Sequence, residues 1–214
     1  CIPDIAKKNS DFLKNKFLDT DGGKFKSSNS EIIDKFNSIT GIYERRYASD
    51  EINCSDLAAV AADLAINDSK LDQETLDYII VAHNTGDISC SSGQVDTLPS
   101  VASKVKAKLK IKNPNCVAYD IICGCPGWVE GIIQAKSFIK SGMAEKCLVI
   151  GCDTLSRILD ENDRDSMIYA DGSGAIVLES DSSYDGGILS HKSATFTYCL
   201  LYTSDAADDV HRGD

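Results

Sequence analysis

A chain of 214 residues, 43% hydrophobic and 26% charged, has the composition of a globular protein and is long enough for one substantial core. Its net charge of −11 excludes an electrostatic nucleic-acid binder, which needs a basic surface against phosphate. No apolar run reaches the roughly 18–20 residues of a membrane span, and no secretory leader pattern opens the chain, so a soluble, cytoplasmic protein is expected.

In chain order, the first thirty residues are polar and lysine-rich with a turn at Asp21-Gly22-Gly23, and they predict a surface excursion. Ser28, with Glu31 three residues on, forms a helix N-cap, and Ile32, Ile33, Phe36 and Ile39 follow at helical spacing. Residues 56–67 are alanine-rich and predict a buried helix. Residues 78–82 (YIIVA) form a short apolar run of the kind found in a strand covered on both faces. A helix is predicted over 99–109, a strand over 116–122, a helix over 128–142 with a glycine stop, and a second buried strand over 147–152. Further strands are expected at 175–178 and 188–193. This alternation predicts an α/β fold, a mostly parallel sheet with helices on both faces.

Between Lys104 and Lys112, lysines alternate with Val105, Ala107, Leu109 and Ile111. The pattern suits a solvated helix face running into an extended segment; a docking surface for an acidic partner or a cofactor phosphate is the other reading.

Nine cysteines fall at 1, 54, 90, 116, 123, 125, 147, 152 and 199. An odd number, mostly within apolar runs, does not make a secreted disulfide framework. Cys123 and Cys125 are one residue apart, no second pair has ligand spacing, and His83, His191 and His211 are scattered, so no metal site is expected. Buried reduced thiols account for most of the set. Cys125 is the exception. The segment Asp120-Ile121-Ile122-Cys123-Gly124-Cys125-Pro126-Gly127-Trp128 lies where a buried strand gives way to a helix. A sulfur there meets the unpaired N–H groups and macrodipole of the helix N-terminus, which favour an anion. Pro126 is tolerated in a first turn, where its missing N–H costs nothing, and Gly127 permits close approach of a substrate or a neighbouring backbone. These residues alone leave two readings open, a reactive thiolate and a buried structural thiol.

Asp120, Cys125, Gly127 and Trp128 resemble the D-x-x-x-x-C-x-G-[FW] segment of the ketoacyl synthase III family, within the thiolase superfamily of condensing enzymes. Three further stretches resemble that family in order: Thr40-Gly41-Ile42-Tyr43-Glu44-Arg45-Arg46; Lys140-Ser141-Gly142 with Leu148-Val149-Ile150-Gly151-Cys152-Asp153; and Asp163-Arg164 leading to Asp171-Gly172-Ser173-Gly174-Ala175. The resemblance implies a thiolase-like fold, the first half of a duplicated, layered sheet-and-helix sandwich, and an N-terminal half over 1–198 that is incomplete at both ends. It implies an acyltransferase that initiates fatty acid synthesis, condensing an acyl-coenzyme A primer with malonyl-acyl carrier protein. Coenzyme A thioester would be substrate, and no bound cofactor is implied. Cys125 would be the acyl-accepting nucleophile. Arg164 would lie against the coenzyme A adenine, the alternative being a surface arginine beside Asp163 and Asp165. Leu98 would close the acyl pocket of a partner subunit in a homodimer, the alternative being a plain core leucine.

Departures from the family pattern qualify the picture. Lys35 and Ile39 stand where many members grip coenzyme A with tryptophan and arginine, and residues 84–97 form a longer loop than usual beside the acyl pocket. The catalytic His and Asn of the family would lie in a C-terminal half beyond this chain, so the fragment alone is expected to be inactive; His83 and His191 read as structural. A secondary-metabolite ketosynthase, a hydroxymethylglutaryl-coenzyme A synthase-like enzyme and a non-catalytic partner subunit are the alternatives. Residues 199–214 resemble the translation of a sequencing adapter and are expected to be a non-native tail.

Overall fold

The computed structural model describes residues 1–19, 21–183 and 186–197. The expected non-native tail lies outside the described residues. Residues Cys1–Ser182 form one compact unit. Its elements are β1 (Ile5–Lys8), α1 (Asn29–Thr40), β2 (Glu44–Tyr47), α2 (Cys54–Ser69) and β3 (Tyr78–Ala82). The short β4 (Asp87–Ile88) and β5 (Val95–Asp96) follow, then α3 (Val101–Lys108), β6 (Val117–Ile121), α4 (Gly127–Lys140), β7 (Lys146–Thr154) and β8 (Asp171–Glu179).

The central sheet has the order β6-β3-β7-β8. β3 runs parallel to both β6 and β7, with Tyr78 opposite Val117 and Cys147, while β8 is antiparallel to β7. The apolar runs that predicted β3 and β7 are continuous because both faces are covered. Ile79 and Val81 of β3, with Leu148, Ile150 and Cys152 of β7, pack against α2 and α3 through Ala58, Ala62, Val101 and Val105. The alternate residues Ile80, Cys147 and Val149 face α4 through Ala135, Ile132 and Phe138. Ile79, Ile80, Leu148, Val149 and Ile150 are wholly inaccessible to solvent. Each contributes about 1.5–3 kcal/mol of hydrophobic stabilisation.

On its sheet-facing side α4 carries Gly131, where a Cβ would come within 2.9 Å of Val149 Cγ1 and 3.4 Å of Ile80 Cγ2. Only a residue without a side chain lets the helix lie this close. The expected N-cap of α1 is present: Ser28 accepts from the Glu31 N–H, and Glu31 returns a 2.7 Å bond to the Ser28 N–H.

Three expectations change. The first thirty residues are not merely a surface excursion: β1 pairs antiparallel with β2, and Phe12 and Phe17 bury against Ile33 and Met167 in a separate small core. Phe12-Leu13 and Phe17-Leu18 are short apolar pairs in a polar stretch, too short for a local periodicity to reveal them. The strand predicted at 175–178 extends over Asp171–Glu179, because the glycine-rich start that reads locally as a loop pairs residue for residue with the end of β7. No strand forms over 188–193. Those residues belong to a second unit, Ser183–Asp214, whose described residues are exposed. Without a ladder partner among the described residues, an Ile188-Leu189 pair does not make a strand.

In the lysine stripe Lys110 and Lys112 are exposed, while Lys104, Lys106 and Lys108 are tied to neighbouring groups. Lys104 Nζ binds Asp87 at 3.1 Å and Asp96 at 2.8 Å, and Lys108 Nζ binds Asp56 at 2.6 Å. Lys106 donates to the carbonyls of Asn113 and Cys116. The loop over 84–97 is a small hairpin of β4 and β5, anchored where the buried Asp87 accepts from the N–H and hydroxyl of Ser55.

Candidate active site

The parallel strands β3, β6 and β7 end on one edge of the sheet, the edge where open α/β sheets bind ligands. A cavity of about 340 Å³ lies there. His83 enters it just after β3, Cys125 and Trp128 from the β6–α4 junction, Cys152 and Asp153 from the end of β7, and Asp171 through Gly174 from the start of β8.

Backbone chemistry places Cys125. β6 ends at Ile121, and the chain turns through Gly124 at φ 64°, a left-handed conformation that side chains resist. The turn closes with Gly127 N–H donating to Gly124 O at 2.9 Å, and the Glu130 N–H donates to Pro126 O at 3.0 Å to begin the helical ladder. Pro126, at φ −68°, is the cap, one position ahead of the first turn where it was expected. Gly127 packs tightly: a Cβ there would sit 3.2 Å from Ala82 Cβ, so the glycine joins the helix start to the end of β3. Cys125 is exposed at the mouth of a 14-residue helix. An α-helix carries about half a positive charge at this end.

Among the described residues the other cysteines divide by environment. Cys54, Cys116, Cys147 and Cys152 are buried, whereas Cys90 and Cys123 are exposed like Cys125, which the sequence did not distinguish. Burial pushes the Cys147 thiol up to about 12 and raises that of Cys116. Cys152 Sγ lies 3.1 Å from Cys54 Sγ; the hydrogen bond from Cys54, then burial, carries the Cys152 thiol well above its ordinary value. Cys116, Cys147 and Cys152 are protonated, structural sulfurs at neutral pH.

The carboxyls around the cavity are fixed by hydrogen bonds. Asp120 accepts from the N–H groups of Val101 at 2.7 Å and Ala102 at 2.8 Å, so it caps α3, and it lies 3.0 Å from His83 Nε2. Burial alone would raise its carboxyl, but the bonds from His83, Ala102 and Val101 outweigh burial and hold it below the usual value. With Asp120 ionised, His83 Nε2 carries the donated proton. Asp153 shows the opposite balance: burial raises its carboxyl despite bonds from the Asn84 N–H at 2.8 Å and Asn84 Nδ2 at 2.7 Å. Asp171 ties three segments together, accepting from Ala48 N, Ser156 N and Ser156 Oγ. Trp128 lies across Gly151, where a Cβ would meet the indole at 3.2 Å. His83 Nδ1 and Trp128 Nε1 are buried without a hydrogen-bond partner among the described residues.

Sequence reasoning missed His83 as a site residue. It is structural in its bond to Asp120, yet it also lines the cavity with Cys125. Its position directly after an apolar parallel strand was the available signal. The other site residues lie elsewhere. Arg164 opens a short 3₁₀ turn, its guanidinium 4.8 Å over the Phe25 ring and its Nε 3.8 Å from Asp165. It does not line the Cys125 cavity. Leu98, between β5 and α3, is 81% exposed, which overturns the core-leucine alternative. Among the described residues no cluster of His, Cys, Asp and Glu could hold a metal ion, and no helix is long and apolar enough to cross a membrane.

Residues 119–196 match the profile of the 3-oxoacyl-[acyl-carrier-protein] synthase III family. The chain is 43% identical over 169 residues to a beta-ketoacyl-[acyl-carrier-protein] synthase III of Ehrlichia canis, covering 77% of this chain and 50% of that protein. It is 42% identical over 163 residues to the same-named protein of Neisseria gonorrhoeae, covering 76% of this chain and 48% of that protein. The crystal structure of 3-oxoacyl-[acyl-carrier-protein] synthase III from Aquifex aeolicus superposes with a TM-score of 0.67 at 33% identity, covering 85% of this chain and 51% of that one. The chain spans about half the length of the curated relatives it matches.

Proposed function

We propose, on the premise that this chain is of the beta-ketoacyl-[acyl-carrier-protein] synthase III family in sequence and in its thiolase-like fold, that Cys125 is the nucleophile of an acyltransferase. The observation that carries the proposal is the placement of one exposed sulfur at the start of α4, inside the cavity where β3, β6 and β7 end. The helix terminus turns its partial positive charge toward the site, and the cavity gives an acyl group somewhere to lie.

The reaction begins with attack of Cys125 Sγ on the thioester carbonyl of an acyl-coenzyme A. The tetrahedral intermediate places negative charge on oxygen, which the backbone N–H of Cys125 is positioned in sequence to receive. Collapse expels the coenzyme A thiol and leaves the acyl group on sulfur. A malonyl-acyl carrier protein then loses carbon dioxide, and its carbanion attacks the acyl-enzyme to form the ketoacyl product and free Cys125. Dividing carbon–carbon bond formation between two displacements is covalent catalysis, and ping-pong kinetics follow. The chain spans about half the length of its curated relatives, and the residues that drive decarboxylation are proposed to lie outside it. In this chain Asp120, His83 and Asp171 position the cavity walls. Arg164, already stacked on Phe25, contributes its guanidinium to the coenzyme A adenine, and exposed Leu98 enters the acyl pocket of the partner in a cytoplasmic homodimer.

A burst experiment tests the assignment. On mixing with acyl-coenzyme A and no malonyl partner, the full-length protein releases about one coenzyme A thiol per active site, and Cys125→Ser releases none. A full burst from Cys125→Ser would refute it.

A further inference from the structure

Cys123 has no part in the proposed chemistry, yet it is exposed and one residue from the exposed Cys125. Chain geometry holds their Cα atoms within about 7 Å of each other. Disulfides span about 4.4–6.8 Å between Cα atoms, so the separation is already close to bonding range. The residue between them is Gly124 at φ 64°, which turns the chain, and the turn is closed by the Gly127 N–H bond to Gly124 O. Gly127 borders this corner; a Cβ there would sit 3.6 Å from Cys123 Cβ, an ordinary contact.

We infer that Cys123 and Cys125 are a redox modification site, closing to a reversible disulfide when hydrogen peroxide reaches the cavity mouth. Cys125 thiolate attacks one oxygen of the peroxide, the O–O bond breaks, and hydroxide leaves, giving Cys125 sulfenic acid. The Cys123 sulfur then attacks that sulfur, the S–O bond breaks, and water leaves with the Cys123 proton. The hydroxide takes up the proton first lost by Cys125, so two thiols and one peroxide yield one disulfide and two waters. A dithiol reductant reverses the change. The disulfide blocks acylation but holds Cys125 below the sulfinic and sulfonic stages, which thiols do not reverse.

Most competing resolving thiols are badly placed; half-buried Cys1, whose backbone pairs with Ser173 of the cavity wall, is the competitor that peptide mapping distinguishes. Cys54 and Cys152 lie close together but buried, and Cys116 and Cys147 are buried with their thiols pushed up, which makes them poor nucleophiles. Cys90 is exposed but sits between β4 and β5, beside a different cavity lined by Asp50, Glu51 and Asn53.

The inference rests on the proposed function only in naming Cys125 as the sulfur oxidised first. The whole chain is treated with hydrogen peroxide, alkylated with iodoacetamide and cut by chymotrypsin after Tyr119 and Trp128. The peptide 120–128 then carries Cys123 and Cys125 and no other cysteine. It should be unalkylated and lighter than its dithiol form by two hydrogens, about 2 Da, and should take up two alkyl groups after dithiothreitol. Cys123→Ala should accumulate about fivefold or more sulfinic acid at Cys125, which dithiothreitol does not remove. Equal sulfinic acid in the wild type and in Cys123→Ala, or a bond from Cys125 to any other cysteine, would overturn the inference. Disulfide formation in a full-length protein that takes no acyl group at Cys125 would refute the proposed function and leave this inference standing.

Discussion

Replacing Asp120 with asparagine should cost stability even though shape and size barely change. Three donors converge on this carboxylate: Val101 N–H at 2.7 Å, Ala102 N–H at 2.8 Å and His83 Nε2 at 3.0 Å. Asparagine keeps one acceptor oxygen and turns a donor toward the rest. Weakening a backbone bond at the start of α3, whose N-cap Ser100 is retained, costs about 0.5–1.5 kcal/mol, and losing a hydrogen bond to a charged group about 1.5–3 kcal/mol. The two losses share atoms, so about 2–4 kcal/mol is the expected total. For a domain of this size that lowers Tm by roughly 4–16 °C. Linkage fixes the pH dependence. The folded carboxyl lies below its ordinary value, so the unfolded state binds more protons between the two values and stability rises with pH across that window. The advantage of the wild type over Asp120→Asn is therefore full above about pH 4 and shrinks as pH falls through the depressed folded value. Urea unfolding at pH 7 and at about pH 3 reads both. A midpoint unchanged at pH 7, or a gap that widens on acidification, would refute the reasoning.

Other predictions follow from the same geometry. Gly131→Val should destabilise by about 1–3 kcal/mol, because even a Cβ meets Val149 at 2.9 Å; urea melts measure it, and an unchanged midpoint would mean that α4 shifts freely on the sheet. Iodoacetamide should alkylate Cys125 faster than Cys147, whose thiol burial pushes up to about 12, and peptide mapping over time would show the reverse order if the cavity were closed. Arg164→Ala should raise KM for acyl-coenzyme A about tenfold with little change in kcat, the signature of binding remote from the reacting carbon. An unaltered KM would place the nucleotide elsewhere, for instance near the exposed Lys35 and Ile39.

What the sequence revealed and what it hid divides along local and long-range lines. Residues 78–82 and 147–152 were legible as buried strands because a strand covered on both faces needs no polar residue, so composition alone marks it. The α1 N-cap was legible because Ser28 and Glu31 satisfy each other within one turn. Phe12 and Phe17 were not, since their core forms only when Ile33 and Met167 arrive from distant segments. The start of β8 was hidden because Gly172 and Gly174 favour loops locally, and only pairing with β7 orders them. At the site, Cys125 was legible from its strand-to-helix context. His83 was read as structural, which its bond to Asp120 agrees with; its place on the cavity wall was hidden because Asp120 is 37 residues away, and nothing in the sequence shows that α3 and β3 meet at that carboxylate.

The central claim is that Cys125 takes the acyl group, and locating that group tests it most directly. The full-length protein is incubated with a mass-tagged acyl-coenzyme A, quenched in acid and digested, and the tagged thioester is mapped by fragmentation. The account predicts the tag on Cys125 within residues 120–128 and its complete absence in Cys125→Ser, with Cys123→Ala labelled as the wild type. A tag on Cys123 with Cys125 free, or undiminished labelling of Cys125→Ser, would contradict it.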